Sequence, residues 1–277
     1  MESKLTITSK YIKRLDVMPF DEVGQYLDEN LEHTRLDRIN WPEVHSYKPD
    51  CQVVTAYSDK YLYVYFSVIC QDLRAVNTAN LSPVAQDSCV EFFMQVPGSD
   101  EYWNFEFNCI GTVNASHRVT RPNAVRLTDE QIAGIKRYAS CGTEPFDEKH
   151  GTFCWDLTVA IPFSLVGIDP AHKPSHIMGN FYKCADKTAH PHYVSWAPIA
   201  LDKPNFHATQ FFAPIVLGKT HQDKEKRQGG RPHWPPSLSF LLLLCLDQIG
   251  VDAEHRALDK RAIHVTIVID LKSVDFA

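Results

Sequence analysis

Glu91 and Glu106 sit in two short runs that read as neighbouring strands, "SCVEFFMQV" at 88–96 and "YWNFEFNCIGTVNAS" at 102–116. Two carboxylates facing one bond can act as acid and as nucleophile or base, which is the equipment of a glycoside hydrolase. The stretch "EYWNFEFNCIG", residues 101–111, offers a second chemistry. Asn104, Glu106 and Asn108 share one parity, and Trp103, Phe105, Phe107 and Cys109 share the other. A strand alternates its faces with period two, so one face is aromatic and the other carries two amides around a carboxylate. Groups two residues apart project about 6.5–7 Å apart, close to the span of one or two sugar hydroxyls. Asn supplies donors and an acceptor, and Glu supplies acceptors, so the row can grip vicinal hydroxyls without turning anything over. The same row also reads as an ordinary solvated sheet face.

Trp196, in "YVSWAPIALDKPNFHATQFFAPIVL", ends a strand and enters a Pro-bounded loop. An indole beside a polar face suits the apolar C–H face of a pyranose. The bland reading is a Trp packed in the core beneath that loop. Histidines are numerous late in the chain, among them His172, His176, His190, His192 and His207. "HKPSH" has i, i+4 spacing, but Pro174 breaks the helix that would align the rings. "HPH" places His190 and His192 on one face of a strand, a candidate metal pair beside the plainer reading of loop histidines. The eight cysteines include no C-x-x-C pair, and several lie in apolar runs. They read as reduced and mostly buried core residues.

The elements that position these groups are mostly strands. "CQVVTAYS" and "KYLYVYFSVIC" flank a polar "SDK" turn and predict a β-hairpin. The runs at 88–96 and 102–116 predict a second pair. "RLTDEQIAGIKRYA" at 126–139 predicts a helix with Thr128 as N-cap and Gln131 completing a capping box. "GTFCWDLTVAIPFSLVG", "MGNFYKCAD", "HYVSWAPI" and "TQFFAPIVLG" continue the strand series. The expected fold is all-β, an antiparallel sandwich with one or two short helices. The main domain spans 1–218. A charged, then Gly- and Pro-rich linker follows at 219–237, and 238–277 forms an appendage outside the strand rhythm.

The chain has 277 residues and a formal net charge of −6. An acidic balance without a basic patch argues against nucleic-acid and membrane-surface binding. The longest apolar run, "FLLLLCL", is too short for a membrane span. As written, the N-terminus has no signal-peptide core and the protein reads as cytoplasmic. A chain shorn of its leader would instead be extracellular or periplasmic.

Three segments together resemble a known family. "DSCVEFFMQVPGSDEYWNFEFNCIGTV" at 87–113, "GNFYKCADKTAHPHYVSWAPI" at 179–199 and "PNFHATQFFAPIVL" at 204–217 are similar to the family 9-like carbohydrate-binding domains of Bacteroidetes-type bacteria. "NWPEVHSYKP" resembles the family's early Trp turn. The resemblance spans roughly residues 5–218. It implies an immunoglobulin-like sandwich that binds a neutral oligosaccharide or polysaccharide, such as xylan, as a non-catalytic accessory to polysaccharide breakdown. It also implies structural calcium. By position it implies Trp196 as one ring of a sugar clamp, with Glu91, Asn104 and Glu106 as polar contacts; strand parity adds Asn108 to that face. The second ring of the clamp would precede Glu91 by about six residues. "LSPVAQDS" has no aromatic there, which leaves two readings open: a one-sided platform, or a ligand that the classical family does not bind. Two other functions stay open: a hydrolase using Glu91 and Glu106, and a partner-binding sandwich without a sugar ligand.

Overall fold

A computed structural model of the chain describes residues 5–218. The expected linker and appendage over 219–277 lie outside the described residues. The strands are β1 (Ile7–Tyr11), β2 (Thr34–Arg35), β3 (Arg38–Ile39), β4 (Asp50–Tyr57), β5 (Tyr61–Ala75), β6 (Cys89–Gln95) and β7 (Tyr102–Asn108). They continue with β8 (Val113–Arg118), β9 (Val125–Arg126), β10 (Lys136–Ala139), β11 (Phe146–Pro162), β12 (His176–Cys184), β13 (Tyr193–Ser195) and β14 (Ala213–Gly218). One curled sheet runs β10-β11-β5-β4-β1-β14-β12-β6-β7-β8-β9. It folds over so that its two halves face each other as a sandwich. Strand β1 makes the fold-over, pairing parallel with both β14 and β4, while the other ladders are antiparallel.

Alternation explains the core. Val64, Phe66 and Val68 of β5 and Leu157 and Val159 of β11 point inward from one half. Val90, Phe92 and Met94 of β6 and Phe105 and Phe107 of β7 meet them from the other. The Phe66 and Phe181 rings touch edge-on at 6.0 Å across the gap, and Phe181 stacks on Phe92 at 4.7 Å. The outer face of the β4–β5–β11 layer is also apolar. It is covered by a helix, α1 (Phe20–Asn30), through Val23 and Leu27 packed on Val54, Tyr63 and Tyr65. Gly24 lies so close to this layer that a Cβ there would collide with Thr158 Oγ1.

The hairpins form as the turn chemistry predicts, with Tyr57 opposite Leu62 and Gln95 opposite Tyr102. Two expectations need correction. The run 102–116 is two strands, because Asn108 to Thr112 turns back with Gly111 at φ +79°. That left-handed backbone suits glycine. The helix expected over 126–139 is only a short one, α2 (Asp129–Ala133). Its Thr128–Gln131 capping box does form, but residues 136–139 pair with β11 instead.

Candidate functional site

Strands β12, β6, β7 and β8 lie side by side, and their outward residues form rows across the sheet. One row is Tyr182, Glu91, Glu106 and Asn114, each directly opposite the next. The polar face of β7 is therefore continuous with polar residues on both neighbours. It is not a solvated face. Asn104 and Asn108 are fully buried, and Glu106 is 8% exposed.

A pocket of about 270 Å³ opens over this row. That is at the small end for ligand sites. Its floor holds Glu91, Glu106 and Cys184. Trp41, Tyr193 and Phe206 form an aromatic wall, with Asp186, Arg121 and His207 at the polar edge. Trp41 meets Tyr193 edge-on at 6.2 Å and Phe206 at 6.1 Å. The loop bearing Phe206 and His207 is tied down from below. Trp41 Nε1 donates to the Leu201 carbonyl at 2.6 Å, and the Tyr182 hydroxyl donates to the Phe206 carbonyl at 3.1 Å.

Glu106 is the most constrained group in the pocket. Asn104 Nδ2 donates to its Oε1 and Asn114 Nδ2 to its Oε2, both at 2.9 Å. Ser116 Oγ donates to Asn104 Oδ1 at 2.7 Å, and an Arg118 guanidinium N–H donates to Ser116. Burial holds the Glu106 carboxyl above its ordinary range, and Asn114, Arg118 and Asn104 offset part of that rise. Glu91 lacks that support. Burial lifts it well above the usual range, with Cys184 and Glu106 adding to the shift. The pair thus presents one firmly held acceptor beside a group that favours its proton.

Of the residues expected to bind, Glu91 and Glu106 line the pocket and Asn104 orients Glu106 from beneath. Asn108 is elsewhere. Its Nδ2 donates to the Asn77 carbonyl and Asp87 Oδ2, and its Oδ1 accepts from Thr112 N, so it fastens the 77–87 loop. Trp196 is corrected too. It is 3% exposed in the core, 6.0 Å from Phe181. Strand parity is the reason. Tyr193 pairs with Cys184 and faces the pocket, whereas Val194 and Trp196 share the core side with Phe181. The aromatics that reach the pocket, Trp41, Tyr193 and Phe206, come from separate segments. Only the parity of "HYVSW" signalled one of them.

The "HPH" pair diverges. His190 Nδ1 is hydrogen-bonded to Asp72 at 2.6 Å, while buried His192 Nε2 accepts from Lys183 Nζ at 2.9 Å. Burial, then Lys183, hold His192 well below its ordinary range. Among the described residues, Asp72, Glu148 and His150 form one group with metal-ligand spacing, and Cys89, Glu91 and Cys184 form another. Calcium takes six to eight oxygens. These groups carry an imidazole or two thiols, and His150 and His190 already occupy Asp72. Neither fits calcium. No disulfide links the seven described cysteines; Cys51, Cys70, Cys89, Cys109 and Cys184 are buried, Cys141 is half-buried and Cys154 is exposed.

His207 supplies a pH-dependent prediction. Its Nδ1 shares a 2.9 Å hydrogen bond with the Tyr102 hydroxyl. Burial, with Arg118 and Arg121 nearby, lowers it from 6.5 to about 3. The unfolded chain takes up this proton below 6.5, and the folded chain only near 3. Its contribution to stability is therefore present above 6.5 and is lost as pH falls toward 3. His207→Gln should flatten the fall of Tm with acid over that window. An acid slope as steep as wild type would count against a depressed His207.

A β-sandwich with a small pocket on one outer face, acceptors on its floor and aromatic rings along its wall, has the equipment of a sugar-binding module. The chain belongs to carbohydrate-binding family 9, whose model matches residues 21–217. It is similar to a crystal structure of a candidate carbohydrate-binding protein from Bacteroides uniformis, at 32% identity and TM-score 0.72, over 78% of this chain and all of that one. A family 9 carbohydrate-binding module from Caldicellulosiruptor kristjanssonii, solved with cellotriose, shares the fold at 15% identity and TM-score 0.50. That match covers 83% of this chain and 100% of the other. None of the curated proteins matches the chain. Among the described residues, no helix is long and apolar enough to cross a membrane.

Proposed function

We propose that the pocket over β6 and β7 binds a neutral oligosaccharide without turnover, in the service of polysaccharide breakdown. The observation that carries this is Glu106, held at both oxygens by Asn104 and Asn114 while it faces the aromatic wall. Such a carboxylate is a fixed acceptor for sugar hydroxyls, and the rings offer an apolar surface for the pyranose face. The hydrolase reading is the weaker one. Glu91 and Glu106 are directly opposed on neighbouring strands and rise from the same floor. A glycosidase needs its two carboxyls on either side of the scissile bond.

A glycan array spanning β-linked glucans, xylans and mannans, followed by a search for shortened products, tests the proposal. Binding with intact ligand supports it. Product that disappears in Glu91→Gln or Glu106→Gln would replace it with the hydrolase, and silence across the array would favour a partner-binding sandwich.

The binding unit proposed here ends near residue 218. The family match stops at residue 217. A chain ending at Lys219 should melt within about 5 °C of the full chain, on the order of 1–2 kcal/mol for a domain of this size. A larger drop would mean that later residues support the sandwich.

A further inference from the structure

Cys89 and Cys184 face each other directly across β6 and β12, and Glu91 follows Cys89 by two residues on the same strand face. All three are buried, at 0%, 1% and 3% exposure. One ligand atom from each lies within 4.8 Å of the others, and Cys184 Sγ is 3.1 Å from Glu91 Oε1. We propose that Cys89, Cys184 and Glu91 form a three-ligand site for a thiophilic divalent cation of the zinc class, set into the pocket floor. This goes beyond sugar binding and does not rest on it.

The geometry needs little adjustment. Tetrahedral zinc, with Zn–S near 2.3 Å and Zn–O near 2.0–2.2 Å, wants its ligand atoms about 3.5–3.8 Å apart. Side-chain rotation can supply the difference while the paired strands stay in place. The donor set selects the metal class. Two thiolates and a carboxylate suit zinc, whereas calcium and magnesium require oxygen. Glu91 and Cys184 line the cavity, which provides an entry path and leaves a fourth position for water or solute. The aquated cation exchanges three of its waters for Cys89 Sγ, Cys184 Sγ and a Glu91 carboxylate oxygen; the two S–H bonds and the Glu91 O–H bond break, and their protons pass to solvent.

Titrating the reduced full chain with Co²⁺ and following the near-ultraviolet thiolate-to-cobalt charge-transfer band tests the site. The expected result is a band saturating at one equivalent, abolished by Zn²⁺ competition and absent in Cys184→Ala. It should persist in Cys141→Ser, whose target is half-buried and away from the pocket. No band in wild type, a band retained in Cys184→Ala, or a band lost in Cys141→Ser overturns the proposal. If Cys184→Ala does not fold, zinc-edge X-ray absorption of the Cys141→Ser protein decides. Two sulfur neighbours support the site, and fewer than two overturn it.

Discussion

Trp196→Ala is expected to lower the melting temperature by roughly 6–20 °C and to leave no direct mark on the pocket. The indole is buried against Phe181 between the two halves of the sheet. Truncating a buried Trp removes its transfer free energy and leaves a cavity, at a cost of about 3–5 kcal/mol. For a domain of this size each kcal/mol is worth roughly 2–4 °C. Trp196→Phe, which refills most of that volume, should melt closer to wild type and bind sugar as wild type does. Thermal denaturation with both variants checks the claim. A Trp196→Ala protein of native stability that fails to bind would put the indole back in the site.

Tyr193→Ala is expected to weaken oligosaccharide binding by about thirtyfold or more with a small change in Tm. Tyr193 is half-buried, faces the pocket and packs edge-on against Trp41. Losing an aromatic anchor at a binding surface costs about 2 kcal/mol or more, and each 1.4 kcal/mol is tenfold in affinity. Tyr193→Phe should keep most of the binding, because the ring face does the packing. Fluorescence titration of the three proteins distinguishes these cases. Equal affinity for wild type and Tyr193→Ala would remove the aromatic wall from the account.

Strands were legible in this sequence where their signal was local. The β4–β5 and β6–β7 hairpins are dense in β-branched and aromatic residues and are joined by short polar turns, so their registers follow from nearby residues. That local pairing is also why the proximity of Glu91 and Glu106 could be read. Helix α1 was not legible. Its buried stripe is mainly Val23 and Leu27, with Gly24 between them, and the sheet face that holds it lies far along the chain. Strand β1 pairs only with strands distant in sequence, so nothing local announces it. The aromatic wall failed for the same reason. Trp41 and Phe206 reach Tyr193 through loops that pack only in the folded chain. The Trp196 error was avoidable, since period two along "HYVSW" separates Tyr193 from Val194 and Trp196.

We propose Glu106 as the fixed acceptor of a non-catalytic sugar site. Calorimetric titration of wild type and Glu106→Gln with cello-, xylo- and manno-oligosaccharides, with the ligand recovered and sized afterwards, tests it most directly. Gln keeps the shape but replaces one acceptor oxygen with an amide that meets the Asn104 or Asn114 donor head-on. A hydrogen bond to a charged group is worth about 1.5–3 kcal/mol, or about tenfold or more in affinity. Wild type should bind at least one of these ligands, recovered intact, and Glu106→Gln should lose about tenfold or more in affinity. Equal affinity in the two proteins, or cleaved ligand from wild type, would contradict it.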